Sequence, residues 1–301
     1  MRKILFSTDQ VCDVEEGYFE KNNVLVLPLS YNIDGVEYDN ITKKQLPTKE
    51  LFDYMKKGVV PKTSQTNPEV AKDLFVKKIN EGYDIFHLST SSGITGTHQS
   101  VLIAIEEIKN NKEQLILKEH QNYKIVAIDS LTGAGGEGML LDKLIKFYNS
   151  GNKTLNKLLK EAKRLIPMCC HYFTLDNLGY LARGGRITKG KAIIGTLLQV
   201  KPLLYMNETG HLLQISQAIG RKKSIKALVE YIVKKMNKEN NDIIYISHGD
   251  CLDDVNFLKD EIVKQVGIKN FMVSFCSPIV GAHVGPGAIG VFFLAQNRQE
   301  K

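Results

Sequence analysis

The chain lacks the features of a disulfide-bonded, membrane-spanning or metal-dependent protein. Its 301 residues include only five cysteines, Cys12, Cys169, Cys170, Cys251 and Cys276, and no C-x-x-C pair. That odd number speaks for free, mostly buried thiols in a reducing compartment. The adjacent Cys169 and Cys170 read as two residues entering a buried strand rather than as a redox or metal pair. No window approaches the ~20 apolar residues of a membrane span. The apolar run at residues 4–6 is too short for a signal peptide and is soon followed by Asp9 and Asp13. The expectation is a cytoplasmic protein. There is no G-x-S-x-G elbow and no H-E-x-x-H. His283 has no second histidine or carboxylate at metal-ligand spacing, so no metal is expected.

What is present is ordinary for a globular protein: 43% apolar and 24% charged residues, enough to bury a core. Disorder is expected only over the last residues, 297–301. The net charge of +7 suggests an acidic partner, an anionic ligand or a membrane surface. Nucleic acid is the weaker option. Lys222, Lys223, Lys226, Lys234 and Lys235 lie scattered along a helical stretch, and no aromatic-basic interleaving occurs.

Short apolar runs at residues 4–7, 24–29, 84–89 and 124–130 read as buried strands. Helix-period sequence follows the last two, at 98–109 and 137–148. That alternation predicts βαβ units and a parallel sheet, whose ligands sit in loops at the carboxyl ends of strands. A charged helix over 154–165 ends at Pro167. Beyond it come a strand at 170–174, a helix leading into Arg183, a second helical stretch at 191–199, and a hairpin. The hairpin joins 202–206 to 211–217 through Asn207-Glu208-Thr209-Gly210. Helices at 222–236 and 253–266 and strands at 242–247, 270–275 and 288–295 complete the pattern. The fold class expected is α/β with two domains. Residues 1–167 form an N-terminal α/β/α domain with a mainly parallel sheet, and residues 168–301 form a C-terminal α+β domain with a mixed sheet.

Gly133-x-Gly135-x-x-Gly138 matches the dinucleotide fingerprint on paper. It lies mid-domain, and no acidic residue ends a strand roughly 20 residues on. A tight turn with close helix–sheet packing is the better reading. Ser91-Ser92-Gly93-Ile94-Thr95-Gly96-Thr97 places four hydroxyls and two glycines between a strand and a helix start. Free N–H groups and the macrodipole converge there, which suits a phosphate or a carboxylate. The plainer alternative, Thr95 or Thr97 as a cap, needs only one hydroxyl. Thr63-Ser64-Gln65-Thr66 precedes Asn67-Pro68-Glu69, a second hydroxyl-rich helix start. Arg183-Gly184-Gly185-Arg186 sets two guanidinium groups around a turn, facing a ligand, a partner or solvent. Asp9 and Asp13 read as turn and cap residues after the first strand.

Taken in order, five blocks resemble the DegV family. They are Thr8-Asp9-Gln10-Val11-Cys12-Asp13, then Pro61-Lys62-Thr63-Ser64-Gln65, then the run from Ser91 to Ser100. The last two are Leu178-Gly179-Tyr180-Leu181-Ala182-Arg183-Gly184-Gly185-Arg186-Ile187 and Gly281-Ala282-His283-Val284-Gly285-Pro286-Gly287-Ala288-Ile289-Gly290. The resemblance implies a long-chain fatty acid bound between the domains, with no cofactor and no catalytic set. It implies a separate ATP-binding fatty acid kinase subunit, to which the carboxylate is presented, and allows transient contact with an anionic membrane surface. The implied carboxylate contacts are Thr63 and Thr95, with His283 near the head group. Ser64, Ser92, Gly96, Arg183 and Arg186 are candidates for ligand-side or partner-docking roles. The family commonly has Asp-Ser-Thr where this chain has Asp9-Gln10-Val11, a proline at Thr66, and serine at Thr95. A lipid-responsive regulator, or an enzyme acting on a small phosphorylated ligand at the glycine-rich loops, is the alternative.

Such a ligand is physically reasonable. Hydroxyls and helix N-terminal N–H groups offset the cost of burying a carboxylate. At ~0.8 kcal/mol per CH₂, a dozen methylenes supply on the order of 10 kcal/mol before association costs.

Overall fold

A computed structural model describes residues 2–39, 46–111, 113–116, 122–151, 154–187 and 199–299. Most of the helical stretch expected at 191–199 lies outside these.

The first sheet joins β1 (Lys3–Asp9), β2 (Leu25–Leu27), β6 (Tyr83–Ser89) and β7 (Ile125–Asp129) in the order β2-β1-β6-β7, all parallel. The alternation of its side chains builds two cores. Ile85 faces α3 (Pro68–Asn80) and α4 (Thr97–Asn110), packing on Phe75, Val101 and Ala104. Phe6, Phe86 and Leu88 face α5 (Gly135–Asn149) and α6 (Leu155–Leu165). The layers are helix, sheet, helix, as the strand–helix alternation predicts. Asn67 caps α3 by accepting from the Glu69 N–H, with Pro68 at its first turn.

A second, six-stranded sheet is built from β8 (Cys169–Thr174), β9 (Val200–Met206), β10 (Leu212–Ile219), β11 (Ile244–His248), β12 (Phe271–Phe275) and β13 (Ile289–Leu294). Its order is β10-β9-β8-β13-β11-β12, antiparallel except for β11 with β12. The expected hairpin is β9–β10. One face packs on α8 (Arg221–Lys235) and α9 (Leu252–Val266) through Ile225, Leu228, Leu258 and Ile262. The other receives α5, whose Met139 and Leu140 share a core with Tyr245, Phe292 and Leu294. Helix α5 therefore lies between the two sheets.

This explains the glycine triplet. A Cβ on Gly135 would meet the Phe292 ring at 2.5 Å and the Ser247 hydroxyl at 2.7 Å. One on Gly138 would meet the Asp13 carbonyl oxygen at 2.2 Å. Side chains and backbone fill the space a pyrophosphate would need, so the triplet serves close packing.

Three short strands, β3 (Ser30–Ile33), β4 (Val36–Tyr38) and β5 (Lys62–Ser64), form a small antiparallel sheet in the order β4-β3-β5. It shares a core with α2 (Thr48–Lys56) and α10 (Pro278–Val284) through Tyr31, Phe52 and Ile279. The adjacent cysteines open β8 as fully buried thiols.

The end of the chain departs from expectation. Arg298, only 2% exposed, donates to the Leu131 carbonyl at 2.8 Å and the Glu208 carbonyl at 3.0 Å. Its own N–H donates to the Pro167 carbonyl at 3.0 Å. Arg298 is thus held by long-range bonds that composition does not reveal, and the Gln299 carbonyl accepts from Lys235 Nζ at 2.8 Å.

Candidate functional site

The loops leaving β1, β6 and β7 converge where the strand order predicts a ligand, and the second sheet closes over them. Together they line a cavity that opens to solvent at its mouth. Val11, Leu29, Ala134, Phe173, Ile279 and Phe292 supply much of an apolar wall. Polar groups gather at one part of it: Thr63, Ser64, Gln65, Thr95, Arg186 and His283.

Strand β5 carries Thr63 and α10 carries His283, and Thr63 Oγ1 lies 2.9 Å from His283 Nε2. The other ring nitrogen, Nδ1, is buried without a hydrogen-bond partner among the described residues. Burial pushes the His283 pKa down to about 4, and the nearby Arg186 guanidinium adds to the effect. His283 is therefore neutral at physiological pH. Arg186 is half-buried, and its Nε donates to the Ile94 carbonyl at 3.0 Å. That bond ties the Arg-Gly-Gly-Arg turn to the hydroxyl-rich loop.

The loop itself is firmly held. Ser91 donates to the Gly210 carbonyl at 2.9 Å, in the tip of the β9–β10 hairpin. Gly93 presses on the same residue: a Cβ there would sit 2.4 Å from the Gly210 oxygen. The Ser92 N–H donates to the Asp129 carboxylate at 3.2 Å, and its side chain is exposed. Gly96, not a threonine, is the N-cap of α4, and no side chain caps it. Thr95 Oγ1 accepts from the Thr97 N–H at 3.3 Å and lies 3.0 Å from Thr97 Oγ1.

Of the residues singled out in the sequence, Thr63, Ser64, Thr95, Arg186 and His283 meet at the cavity. Ser92 and Gly96 flank the loop without lining the cavity, and Gly96 faces the Gln65 side-chain amide. Arg183 is exposed, its guanidinium 4.7 Å from the Tyr180 ring centroid. Val11, where the family commonly has threonine, contributes an apolar wall, and Gln10 accepts from the Leu29 N–H at 3.1 Å.

Sequence reasoning missed a buried acidic cluster beneath the loop. Asp9 accepts from the Thr90 N–H at 2.9 Å, the Thr90 hydroxyl at 2.8 Å and the Val11 N–H at 3.0 Å. Thr90 Oγ1 also lies 2.5 Å from Glu137 Oε2, and Thr8 donates to Glu137 Oε1 at 2.5 Å. Thr90 has one hydroxyl proton for two carboxyl groups, so one of them must itself donate. Asp9 already receives three bonds, which leaves Glu137 as the protonated partner. Desolvation, reinforced by Asp9, pushes the Glu137 pKa well above the usual range.

Asp13 is not a local cap. Its Oδ1 accepts from the Ser277 N–H at 2.8 Å, at the start of α10. Desolvation raises its pKa to about 7, and Oδ2 is buried without a partner among the described residues.

Fold and site together define an α/β protein with an apolar cavity and a compact polar mouth. The family model described as "Uncharacterised protein, DegV family" matches residues 3–296, and the chain belongs to that family. A DegV domain-containing protein of Clostridium perfringens is 31% identical over 299 residues, covering 99% of this chain and 100% of its own. Among solved structures, a fatty-acid-binding DegV family protein of Thermus thermophilus superposes with a TM-score of 0.82 at 26% identity. The match covers 98% of this chain and 100% of that one. A fatty-acid-binding DegV family protein of Streptococcus agalactiae gives 0.82 at 25% identity, covering 97% and 99%. Among the described residues no helix is long and apolar enough to cross a membrane.

Proposed function

We propose that this protein binds a long-chain fatty acid in the cavity and presents its carboxylate to a separate ATP-dependent kinase. The carrying observation is the division of the cavity wall. Neutral hydroxyls, a neutral histidine and one guanidinium meet at the mouth, and the remaining surface is mostly apolar. An amphiphile with one anionic end fits that division. Thr63 and Thr95 donate to the carboxylate, His283 buttresses Thr63, and Arg186 supplies positive charge. The tail runs inward between two domains divided near residue 167. The binding described for the Thermus and Streptococcus relatives supports this reading.

Presentation fits better than catalysis. A histidine whose pKa is pushed down to about 4 is a weak general base at neutral pH, and the Thr63 hydroxyl has no other base within the described hydrogen bonds. The kinase partner rests on the family resemblance alone.

Native mass spectrometry of the purified chain tests the binding. The expected result is excess mass matching a fatty acid, lost on denaturation. A chain that is empty and takes up no added oleate refutes the reading. Phosphorylation of the bound acid by a DegV-partner kinase tests presentation separately.

A further inference from the structure

The inner wall of the cavity is not wholly apolar. Thr90, Ser247 and His171 reach it. The Thr90 hydroxyl is engaged by Asp9 and Glu137, and the Ser247 hydroxyl lies 3.3 Å from that of Ser274. His171 is different. Its Nδ1 lies 3.3 Å from Thr132 Oγ1, and its Nε2 has no hydrogen bond among the described residues. The residue is only 8% exposed, and what exposure it has belongs to a side chain lining the cavity.

The register of the sheet fixes its depth. Phe173 pairs with Gly290, and His171 pairs with Phe292. Beyond Thr174 the chain runs out to Arg186 at the mouth. His171 therefore sits about 7 Å further in than Phe173, two residues along a strand. Its ring lies between those of Phe173, 5.4 Å away, and Phe292, 4.6 Å away. A hydrocarbon chain passing here would cover an imidazole nitrogen and leave it unpaired, which is unfavourable.

We propose that His171 selects a fatty acid carrying a hydroxyl group on the inner half of its chain. This deepens the fatty-acid reading above and rests on it. Burial pushes the His171 pKa down to about 3, so the ring is neutral and Nε2 is a donor or an acceptor according to tautomer. A hydroxyl is both, and it satisfies either form. A keto group answers only the donor. The flanking Phe173 and Phe292 rings keep the surrounding surface apolar, so the chain on either side of the hydroxyl stays matched.

The test compares stearic acid with monohydroxystearic acids whose hydroxyl steps from mid-chain to the ω carbon. Each is titrated into delipidated full-length protein. At least one hydroxystearate is expected to bind about tenfold tighter than stearate, the worth of one buried hydrogen bond. In His171→Phe the preference for that hydroxystearate over stearate disappears. His171→Gln, which keeps a polar side chain, retains part of it. If no hydroxystearate outperforms stearate in the unmodified protein, or if His171→Phe keeps the preference, the proposal is wrong. The first comparison needs no variant to fold. Failure of every acid to bind overturns the fatty-acid reading and this inference with it; binding of stearate alone overturns only the inference.

Discussion

Thr63 and His283 are 220 residues apart in sequence, and their side chains meet at 2.9 Å. One comes from a three-residue strand and the other from a short helix of the opposite half of the chain. The mouth of the cavity exists only because these elements pack together through the core around Tyr31, Phe52 and Ile279.

Thr63→Val removes the hydroxyl and leaves both ring nitrogens of His283 unpaired. Fatty-acid affinity should fall about tenfold, in line with one lost polar contact in a desolvated site. Adding Thr95→Val should lower it further. Titration calorimetry measures the affinity, and a melting temperature close to the parent's separates the effect from unfolding. Unchanged binding in the double variant would place the head group elsewhere.

Asp13 gives the protein a specific pH signature. Its pKa is about 7 in the folded state, against an ordinary value near 3.8. The folded protein therefore holds a proton that the unfolded chain releases between those values. Stability from this group falls as pH rises from about 4 to about 7, then stays level. The buried histidines act in the opposite sense: His87, His171 and His283 titrate at about 3, 3 and 4, so stability falls as pH drops below about 6.5. Asp13→Asn keeps an acceptor for Ser277 and removes only the first trend. It should raise the melting temperature at pH 7.5 and leave it near the parent value at pH 4. A stabilisation independent of pH would contradict the assignment.

Gly135→Ala should destabilise the fold despite alanine's better helix propensity. Propensity favours alanine by about 1 kcal/mol, but its Cβ would enter the Phe292 ring and the Ser247 hydroxyl. The clash is with packed core, where overpacking costs about 1–3 kcal/mol. Chemical denaturation measures the balance; a neutral or stabilising result would mean that α5 shifts freely between the sheets.

Arg298→Ala removes two bonds to carbonyls that lie far apart in sequence. A loss of about 2–3 kcal/mol is expected from charged donors in a buried setting. Hydrogen exchange should quicken at Asn207 and Gly210 in the hairpin tip. Faster exchange confined to residues 297–299 would show that the arginine secures only its own segment.

Much of the fold is legible in the sequence because it is local. Apolar runs, the Asn67-Pro68 helix start and the Asn207-Glu208-Thr209-Gly210 turn each carry their own signal. The position of β13 carries none, since nothing near residue 289 says that the strand lies between β8 and β11. The site divides similarly. Hydroxyl-rich loops announce themselves, whereas Glu137 reads as an ordinary acidic residue in a helix's first turn. Only the packing of α5 on the end of β1 and the loop after β6, where Thr8, Asp9 and Thr90 meet it, buries it and makes it a proton donor. Arg298 likewise looks like part of a polar tail until Leu131 and Glu208 are brought to it. His171 reads as one more residue of a buried strand, and the cavity beside it requires both sheets.

Strand β13 bears on synthesis. It is the last strand in chain order, yet it occupies the middle of its sheet and brings Gly290 and Phe292 to the cavity. A nascent chain with residues 1–280 outside the ribosome has β8 and β11 but no strand to join them, and α5 has an uncovered apolar face. The cavity wall is incomplete until residues 289–294 emerge. Until then the growing polypeptide presents two unpaired strand edges, the state in which chaperone capture and aggregation compete with folding.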